Sequence, residues 1–207
     1  MAKRATGLTG RRLVHEAARI MCEERLVDYR LAKQKAAQRL GMGPKAPMPS
    51  NGEIQAAVIE YQRLFGGRDY VRRLQQMRLT AIQAMQLLNQ FRPRLVGAAA
   101  TGAAHAGHRI QLHGFTDTPE QLDFFLHDRG IPFAIGERRY RFPDGAVEDV
   151  PMISFMAGEF GIDVAIFRET ELRRAPLSPA DGLAMKRLDI TSVERLMADT
   201  EPDAKVA

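Results

Sequence analysis

The sequence predicts an α+β protein in which a helical N-terminal region precedes a mixed β-sheet with flanking helices. Through the first 93 residues, apolar side chains recur at helical spacing, whereas after Pro93 they form short runs bounded by glycine and proline. The composition, 45% hydrophobic and 27% charged, is that of an ordinary folded domain. Three segments follow: a helical region over 1–93, an α/β core over 94–175, and a loop with a short helix over 176–207.

Four helices are predicted in the N-terminal region, because their apolar residues lie three and four positions apart. Ser50 or Asn51 can cap the third of them. The fourth ends before Pro93, because the residue preceding a proline avoids helical geometry. The four stripes fall within residues 13–21, 31–40, 54–64 and 69–91.

Strands dominate the prediction after Pro93. A helix between them begins at Asp117-Thr118-Pro119-Glu120, where a capping side chain precedes a proline in the first turn. Two strands are predicted to form a hairpin through Gly158, and a last short helix is predicted to start with a capping box at Thr191. The predicted strands cover 94–99, 109–115, 132–135, 138–142, 150–156 and 161–167.

The net charge of +5 conceals an asymmetry between the two parts of the chain. Residues 1–94 hold 18 lysines and arginines against 7 acidic residues, a net charge of +11. Residues 95–207 hold 12 against 18, a net charge of −6. The basic part is suited to nucleic acid, and equally to the acidic part of its own chain or of a second copy in a homo-oligomer.

Cysteine usage and hydropathy limit the class of protein. Cys22 is the single cysteine, so an intrachain disulfide is excluded and a cysteine-based zinc site is disfavoured. No apolar run approaches the ~18 residues that a membrane helix requires. We therefore expect a bacterial-type cytoplasmic protein with no membrane partner. His105, His108 and His113 match no standard ligand spacing, so no metal site is predicted.

The segment from Leu95 to Leu112 carries the most informative spacing in the chain: L-V-G-A-A-A-T-G-A-A-H-A-G-H-R-I-Q-L. It resembles the active-site segment of nucleotidyltransferases of the polymerase-β type, in which a strand ends in Gly-Ser, a second glycine follows, and the next strand carries Asp-x-Asp. Without a gap, Gly97 and Gly102 take the glycine positions and Ala98 that of the serine. Arg109 and Gln111 then stand where the two aspartates belong.

This resemblance implies a nucleotidyltransferase-like mixed sheet with a degenerate active site. Asp163, in a hydrophobic strand, resembles the third carboxylate of the family and is the single candidate catalytic carboxylate that survives. Mg²⁺ binds hard anionic oxygens, and the guanidinium of Arg109 would repel it. Arg109 is expected instead to pair with Asp163 or to hold a phosphate. The predicted function is binding of a nucleotide, RNA or a protein partner, with no cofactor; the nucleotide-binding candidates are Gly97, Thr101, Gly102, Arg109, Gln111 and Asp163.

Two alternatives stay open from the sequence. The first is an active nucleotidyltransferase with an altered Mg²⁺ site, formed by Asp163 with Asp117 or with a glutamate. The second is a nucleic-acid-binding protein that uses the basic N-terminal helices. Its densest basic cluster consists of Arg72, Arg73, Arg78, Arg92 and Arg94.

Three further segments make the chain similar to a group of proteobacterial proteins of undetermined activity, some of which carry a muramate–alanine ligase label. The segments are 91–97 (F-R-P-R-L-V-G), 112–117 (L-H-G-F-T-D) and 175–182 (A-P-L-S-P-A-D-G). The ligase activity is not expected here. The chain has no glycine-rich ATP loop ending in Lys-Ser or Lys-Thr, and it is too short for the three domains of such a ligase.

Overall fold

The computed structural model of the protein describes residues 7–43 and 46–199. The extreme ends of the first and last predicted segments, 1–6 and 200–207, lie outside the described residues. The chain forms two compact units that are each assembled from separate stretches. The first unit comprises Met1–Arg72, Gly102–His108 and Pro179–Gly182, and the second comprises Arg73–Thr101, Arg109–Ser178 and Leu183–Ala207. The α+β class predicted from the sequence is confirmed.

The first unit is built on three helices: α1 (Leu8–Glu23), α2 (Tyr29–Arg39) and α3 (Asn51–Tyr61). The Asp28 side chain caps α2, and Ser50 caps α3 in a capping box with Glu53. A π-helical turn, Gln62–Gly66, then leads into α4 (Gly67–Leu87), whose residues up to Arg72 belong to this unit. The core consists of small and branched apolar side chains, among them Leu13, Ala17, Ile20, Ala32, Ala36, Ile54 and Val58.

Two later stretches of the chain complete the first unit. Ala103 is buried in the same core as the three helices. The side-chain amide of Asn51 donates a hydrogen bond to the carbonyl of Pro179 at 2.7 Å. The unit therefore depends on residues that lie far from its helices in sequence.

The second unit contains a five-stranded sheet with the order β1-β2-β5-β4-β3. The strands β2 and β5 are parallel, and the other neighbouring pairs are antiparallel. In chain order after α4 the elements are a 3₁₀ turn (Asn89–Phe91), β1 (Arg94–Val96), α5 (Gly97–Thr101), β2 (Ile110–Phe115), α6 (Glu120–Asp128), β3 (Phe133–Arg141), β4 (Val147–Ala157), β5 (Phe160–Phe167), a second 3₁₀ turn (Glu169–Leu172) and α7 (Ile190–Ala198).

Both faces of the sheet bury apolar side chains, and one of them also carries a row of polar side chains. Successive residues of a strand point to opposite faces, so cross-strand partners share a face. Leu112 lies opposite Val164, and that in turn lies opposite Ile153, all three of them buried. One position earlier, Gln111 lies opposite Asp163 on the other face, which we call the polar face.

Several element boundaries differ from the sequence prediction. The fourth helix ends at Leu87 rather than at residue 91, and α6 starts at Glu120 after Pro119 with no side-chain cap, so the capping predicted for this start is wrong. The first strand ends at Val96 rather than residue 99, because the chain turns into α5 at Gly97. The two strands predicted over 132–135 and 138–142 are one strand, since Gly136 stays in register opposite Met152. The last helix is capped by Asp189 and not by Thr191, because the Asp189 carboxylate accepts the backbone N–H of Ser192. The hairpin through Gly158 is confirmed. Among the described residues, no helix has both the length and the apolar character needed to span a bilayer.

Candidate functional site

The candidate site lies on the polar face, where three neighbouring strands bring polar side chains into one row. Gln111 on β2 is the register partner of Asp163 on β5, and Asp163 is the partner of Ser154 on β4. Arg109 precedes β2 by one residue and alternates onto the same face as Gln111. The sheet pairing thus collects residues that are 54 positions apart in sequence.

Arg109 and Asp163 form an ion pair at the centre of this row. The Arg109 Nε donates to Oδ1 of Asp163 at 2.7 Å, and the Ser154 hydroxyl donates to the same oxygen at 2.8 Å. The Arg109 Nη2 donates to the carbonyls of Phe155 and Ile162 at 3.4 and 3.3 Å. The guanidinium is therefore held by β4 and β5. Of the two expectations for Arg109, pairing with Asp163 is the one that the structure shows.

Two glycines make room for these side chains. A Cβ at Gly161 would overlap the guanidinium of Arg109, so the arginine can lie flat across β5 only over a glycine. A Cβ at Gly97 would overlap the amide of Gln111, and Gly97 also has a φ of +70°, which disfavours other residues. Gly97 thus supports Gln111 by close approach, a role that the family resemblance does not imply.

The remaining two nucleotide-binding candidates have separate surroundings. Thr101 ends α5, is exposed, and its hydroxyl donates to the carbonyl of Ala98 at 3.4 Å. Gly102 belongs to the first unit, where its carbonyl accepts a hydrogen bond from the Tyr70 hydroxyl at 2.6 Å. The structure therefore gathers Gly97, Arg109, Gln111 and Asp163 in one row of the second unit.

Asp117 does not join Asp163. It follows the carboxyl end of β2, where its Oδ1 accepts the backbone N–H of Glu169 at 3.1 Å. Asp163 lies four residues before the end of β5 at Phe167, which is about 13 Å at ~3.3 Å per residue. Two ligands of one Mg²⁺ each lie ~2 Å from the ion, so these carboxylates cannot share it. Within the described residues, no three histidine, cysteine or acidic side chains come together as a metal site.

Arg78, one of the five basic candidates for nucleic acid, is buried. Its Nε donates to the carbonyl of Ala99 at 3.0 Å, and its Nη1 donates to that of Leu196 at 3.3 Å. Arg78 therefore connects α4 to α5 and α7 inside the second unit. An arginine in this position contributes to the fold and is not available to a phosphate backbone.

The other four basic candidates differ in exposure. Arg92 is exposed, with its Nη1 4.0 Å from the Glu169 carboxylate, and Arg72 of the first unit is exposed beside Asp69. Arg94 donates to the carbonyls of Arg92 and Pro93. The guanidinium of Arg73 lies 5.3 Å from the centre of the Phe160 ring. Nucleic-acid binding by this set stays a prediction, and Arg72 and Arg92 are its most exposed members.

A pair of the buried His113 and the half-buried Arg187 lies further along the polar face and was missed by sequence reasoning. The Nε of Arg187 donates to Nδ1 of His113 at 3.0 Å, and its Nη1 donates to the carbonyls of Glu171 and Leu172 at 2.7 and 3.1 Å. The guanidinium lies 4.8 Å from the Phe167 ring centre. The partners lie 74 positions apart in sequence, so no local pattern could have indicated the contact.

The pair fixes the charge state of both groups. Burial, followed by the charges of Arg187 and Arg138, holds the pKa of His113 well below its usual value. Burial also lowers the pKa of Arg187 to about 10, so the arginine keeps its charge at neutral pH. Because Nδ1 of His113 accepts a hydrogen bond, the neutral imidazole carries its proton on Nε2.

Comparison of the chain with protein-family models, with curated protein sequences and with solved structures finds no match.

We expect the Arg109–Asp163 pair to contribute measurably to stability. In a double-mutant cycle of Arg109→Gln and Asp163→Asn, the coupling free energy of unfolding should be about 1–2 kcal/mol, because the carboxylate is largely buried and hydrogen-bonded. The control is the cross-strand pair Arg139–Asp149, whose side chains are 72% and 44% exposed and which should couple more weakly because water screens it. Equal coupling in urea unfolding of both cycles would contradict the prediction.

We expect acid to destabilise the protein through His113. A histidine whose folded pKa lies below its unfolded value stabilises the fold above about pH 6.5, and this contribution is lost as the pH falls below it. His113→Gln keeps an acceptor for Arg187 and should flatten the dependence of unfolding free energy on pH below about pH 6.5. His127→Gln, at an exposed site, should leave that slope unchanged. An unaltered slope in His113→Gln would show that other groups cause it.

Proposed function

We propose that the chain is a nucleotidyltransferase-like protein that has lost metal-dependent nucleotidyl transfer and acts by binding. The observation that carries the proposal is the ion pair of Arg109 with Asp163. By the family resemblance these are two of the three positions at which carboxylates hold Mg²⁺. Here a fixed cation takes the place of one metal ligand and bonds directly to the surviving carboxylate.

The order of the elements supports the resemblance. A short strand leads to a turn of helix at Gly97, and the next strand follows Arg109 and carries Gln111. A helix and a hairpin come next, and then a strand with Asp163 that is parallel to β2 and adjacent to it. By the resemblance, Gln111 and Asp163 would take the second aspartate position and the third carboxylate position on neighbouring strands, with Arg109 one residue before the first of these strands.

The chemistry of the row is unsuited to a divalent cation. Nucleotidyl transfer needs two Mg²⁺ ions to activate the attacking hydroxyl and to neutralise the departing pyrophosphate. The row offers one carboxylate, and Oδ1 of Asp163 already accepts hydrogen bonds from Arg109 and Ser154. The amide of Gln111 supplies no negative charge. An ion at this place would meet the guanidinium charge without the anionic ligands that Mg²⁺ requires.

The ligand that we propose first is a nucleotide bound without Mg²⁺. Nε and Nη2 of Arg109 donate within the sheet, so the groups that we propose to orient a ligand are Nη1 of Arg109 and the Gln111 amide. RNA and a protein partner are the other members of the same proposal. The active-enzyme alternative is weakened because Asp117 lies too far from Asp163 to complete a metal site.

A thermal-shift titration with ATP, GTP, CTP and UTP, each with and without Mg²⁺, tests the proposal. We expect at least one nucleotide to raise Tm by the same amount in both conditions, because binding to the folded state alone stabilises it. A rise that requires Mg²⁺ would contradict the loss of the metal site. The absence of any rise would refute nucleotide binding, and salt-dependent binding of RNA would then be measured as the next member of the proposal.

Restoring the carboxylates gives a second test. In Arg109→Asp/Gln111→Asp, three carboxylates would lie on the same face of two neighbouring strands. We expect this variant to be less stable than the parent protein and to be stabilised by Mn²⁺, with binding visible by calorimetry. The parent protein and Gln111→Asp alone, which keeps the guanidinium, should bind no Mn²⁺ under the same conditions. Binding of Mn²⁺ by the parent protein would overturn the proposal.

A further inference from the structure

A cleft of about 440 Å³ opens at the other end of β2 from Gln111. It forms where the parallel strands β2 and β5 end and the chain leaves them in different directions, towards α6 and towards the 3₁₀ turn after β5. The two departing segments are tied together, because the Asp117 carboxylate accepts the backbone N–H of Glu169. Crevices at the carboxyl ends of parallel strands are frequent ligand sites in proteins with such sheets.

Aromatic rings form the walls of the cleft. Phe115 is fully buried at its floor, and Phe91 and Phe125 pack edge to face with 5.4 Å between ring centres. Phe124, on the same helix, is 67% exposed and presents its ring to solvent at the edge of the cleft. The core-facing side of α6 is provided by other residues, so the burial of Phe124 is not required by the fold.

One polar side chain, that of Thr116, lines the buried part of the cleft. The hydroxyl of Thr116, a residue only 6% exposed, lies 2.8 Å from Oε1 of Gln121 and also accepts the backbone N–H of Thr118. These bonds hold the first turn of α6 against the end of β2. The Thr116 hydroxyl is fully used, so recognition by charge falls to the rim.

The rim carries two carboxylates that are not engaged by hydrogen bonds. Within the described residues, neither Asp128 nor Glu169 accepts a hydrogen bond at its side chain. His127 Nδ1 lies 3.6 Å from Oδ1 of Asp128, and Arg92 Nη1 lies 4.0 Å from Oε2 of Glu169. Arg129 is the one basic lining residue, and its guanidinium is stacked 3.7 Å from the centre of Phe125 and donates to the Phe125 carbonyl. A ring of this cleft therefore already binds a guanidinium face to face.

From these observations we infer that the cleft binds a small organic cation with a flat body, of the amidinium or guanidinium type. The flat body would lie against Phe124, because cations and their conjugated planes are attracted to the faces of aromatic rings. Its N–H groups would donate to the carboxylates of Asp128 and Glu169, which accept no hydrogen bond from the described residues. This site is separate from the Arg109–Asp163 row, and the inference does not depend on the proposed function.

Three probes of one shape and different charge test the inference on the full chain: benzamidinium, neutral benzamide and anionic benzoate. Binding is followed by NMR shift titration. We expect benzamidinium to bind at least tenfold more tightly than benzamide, and benzoate not to bind. Equal affinity for benzamidinium and benzamide would show that the cleft binds the apolar ring without regard to charge. Preference for benzoate would show that Arg129 is the recognising group. Either result, or the absence of binding, would overturn the inference.

Variants locate the binding. Glu169→Gln and Asp128→Asn should each weaken benzamidinium about threefold to tenfold and leave benzamide unchanged, because only the charge is removed. Phe124→Leu should weaken both probes, because the stacking surface is lost. The matched control is Ile135→Leu, at a residue of the same unit that is 69% exposed and lies on β3. Unchanged affinity in all three cleft variants would place the probe elsewhere and refute the inference.

Discussion

The parallel pairing of β2 with β5 is the constraint on which the second unit depends. It is the one parallel contact in the described sheet, and the register places Gln111 opposite Asp163 and Leu112 opposite Val164. At the amino ends of the two strands, this register forms the row of polar side chains around Arg109. At their carboxyl ends, it creates the crevice lined by phenylalanines. A shift by one residue would move Gln111 onto the face of Val164, so the hydrophobic core and the candidate site are specified by the same pairing.

Pairing of opposite charges explains how a row with an ionised carboxylate can lie in a half-buried place. A buried carboxylate needs compensation, which a metal ion or a cationic side chain can supply equally well for folding. Arg109 supplies it here, together with the hydroxyl of Ser154. The charge of Asp163 is thus compensated by side chains of the sheet itself.

The sequence predicted those features that depend on local pattern. The α+β class and the hairpin through Gly158 follow from periodicity and turn residues. The pairing of Arg109 with Asp163 was one of two expectations that the family resemblance implied for this arginine. The sequence could not predict that Arg78 is buried, because an arginine on an amphipathic helix is usually solvated and its partners Ala99 and Leu196 come from distant segments. The contact of His113 with Arg187 and the cleft between the two strand ends arise from tertiary structure in the same way. The resemblance to nucleotidyltransferases stays a proposal, since it rests on spacing and element order alone.

The assembly of the first unit from three stretches has a consequence for any attempt to divide the chain. A fragment ending at residue 93 would contain every helix of that unit, yet it would lack Ala103 from its core and the Pro179 carbonyl that Asn51 binds. The complementary fragment would contain Gly102–His108 and Pro179–Gly182 without the helices against which they pack. Limited proteolysis within 102–108 or 179–182 would therefore destabilise the helices of the first unit. Expression of either half alone would separate residues that pack together in the fold.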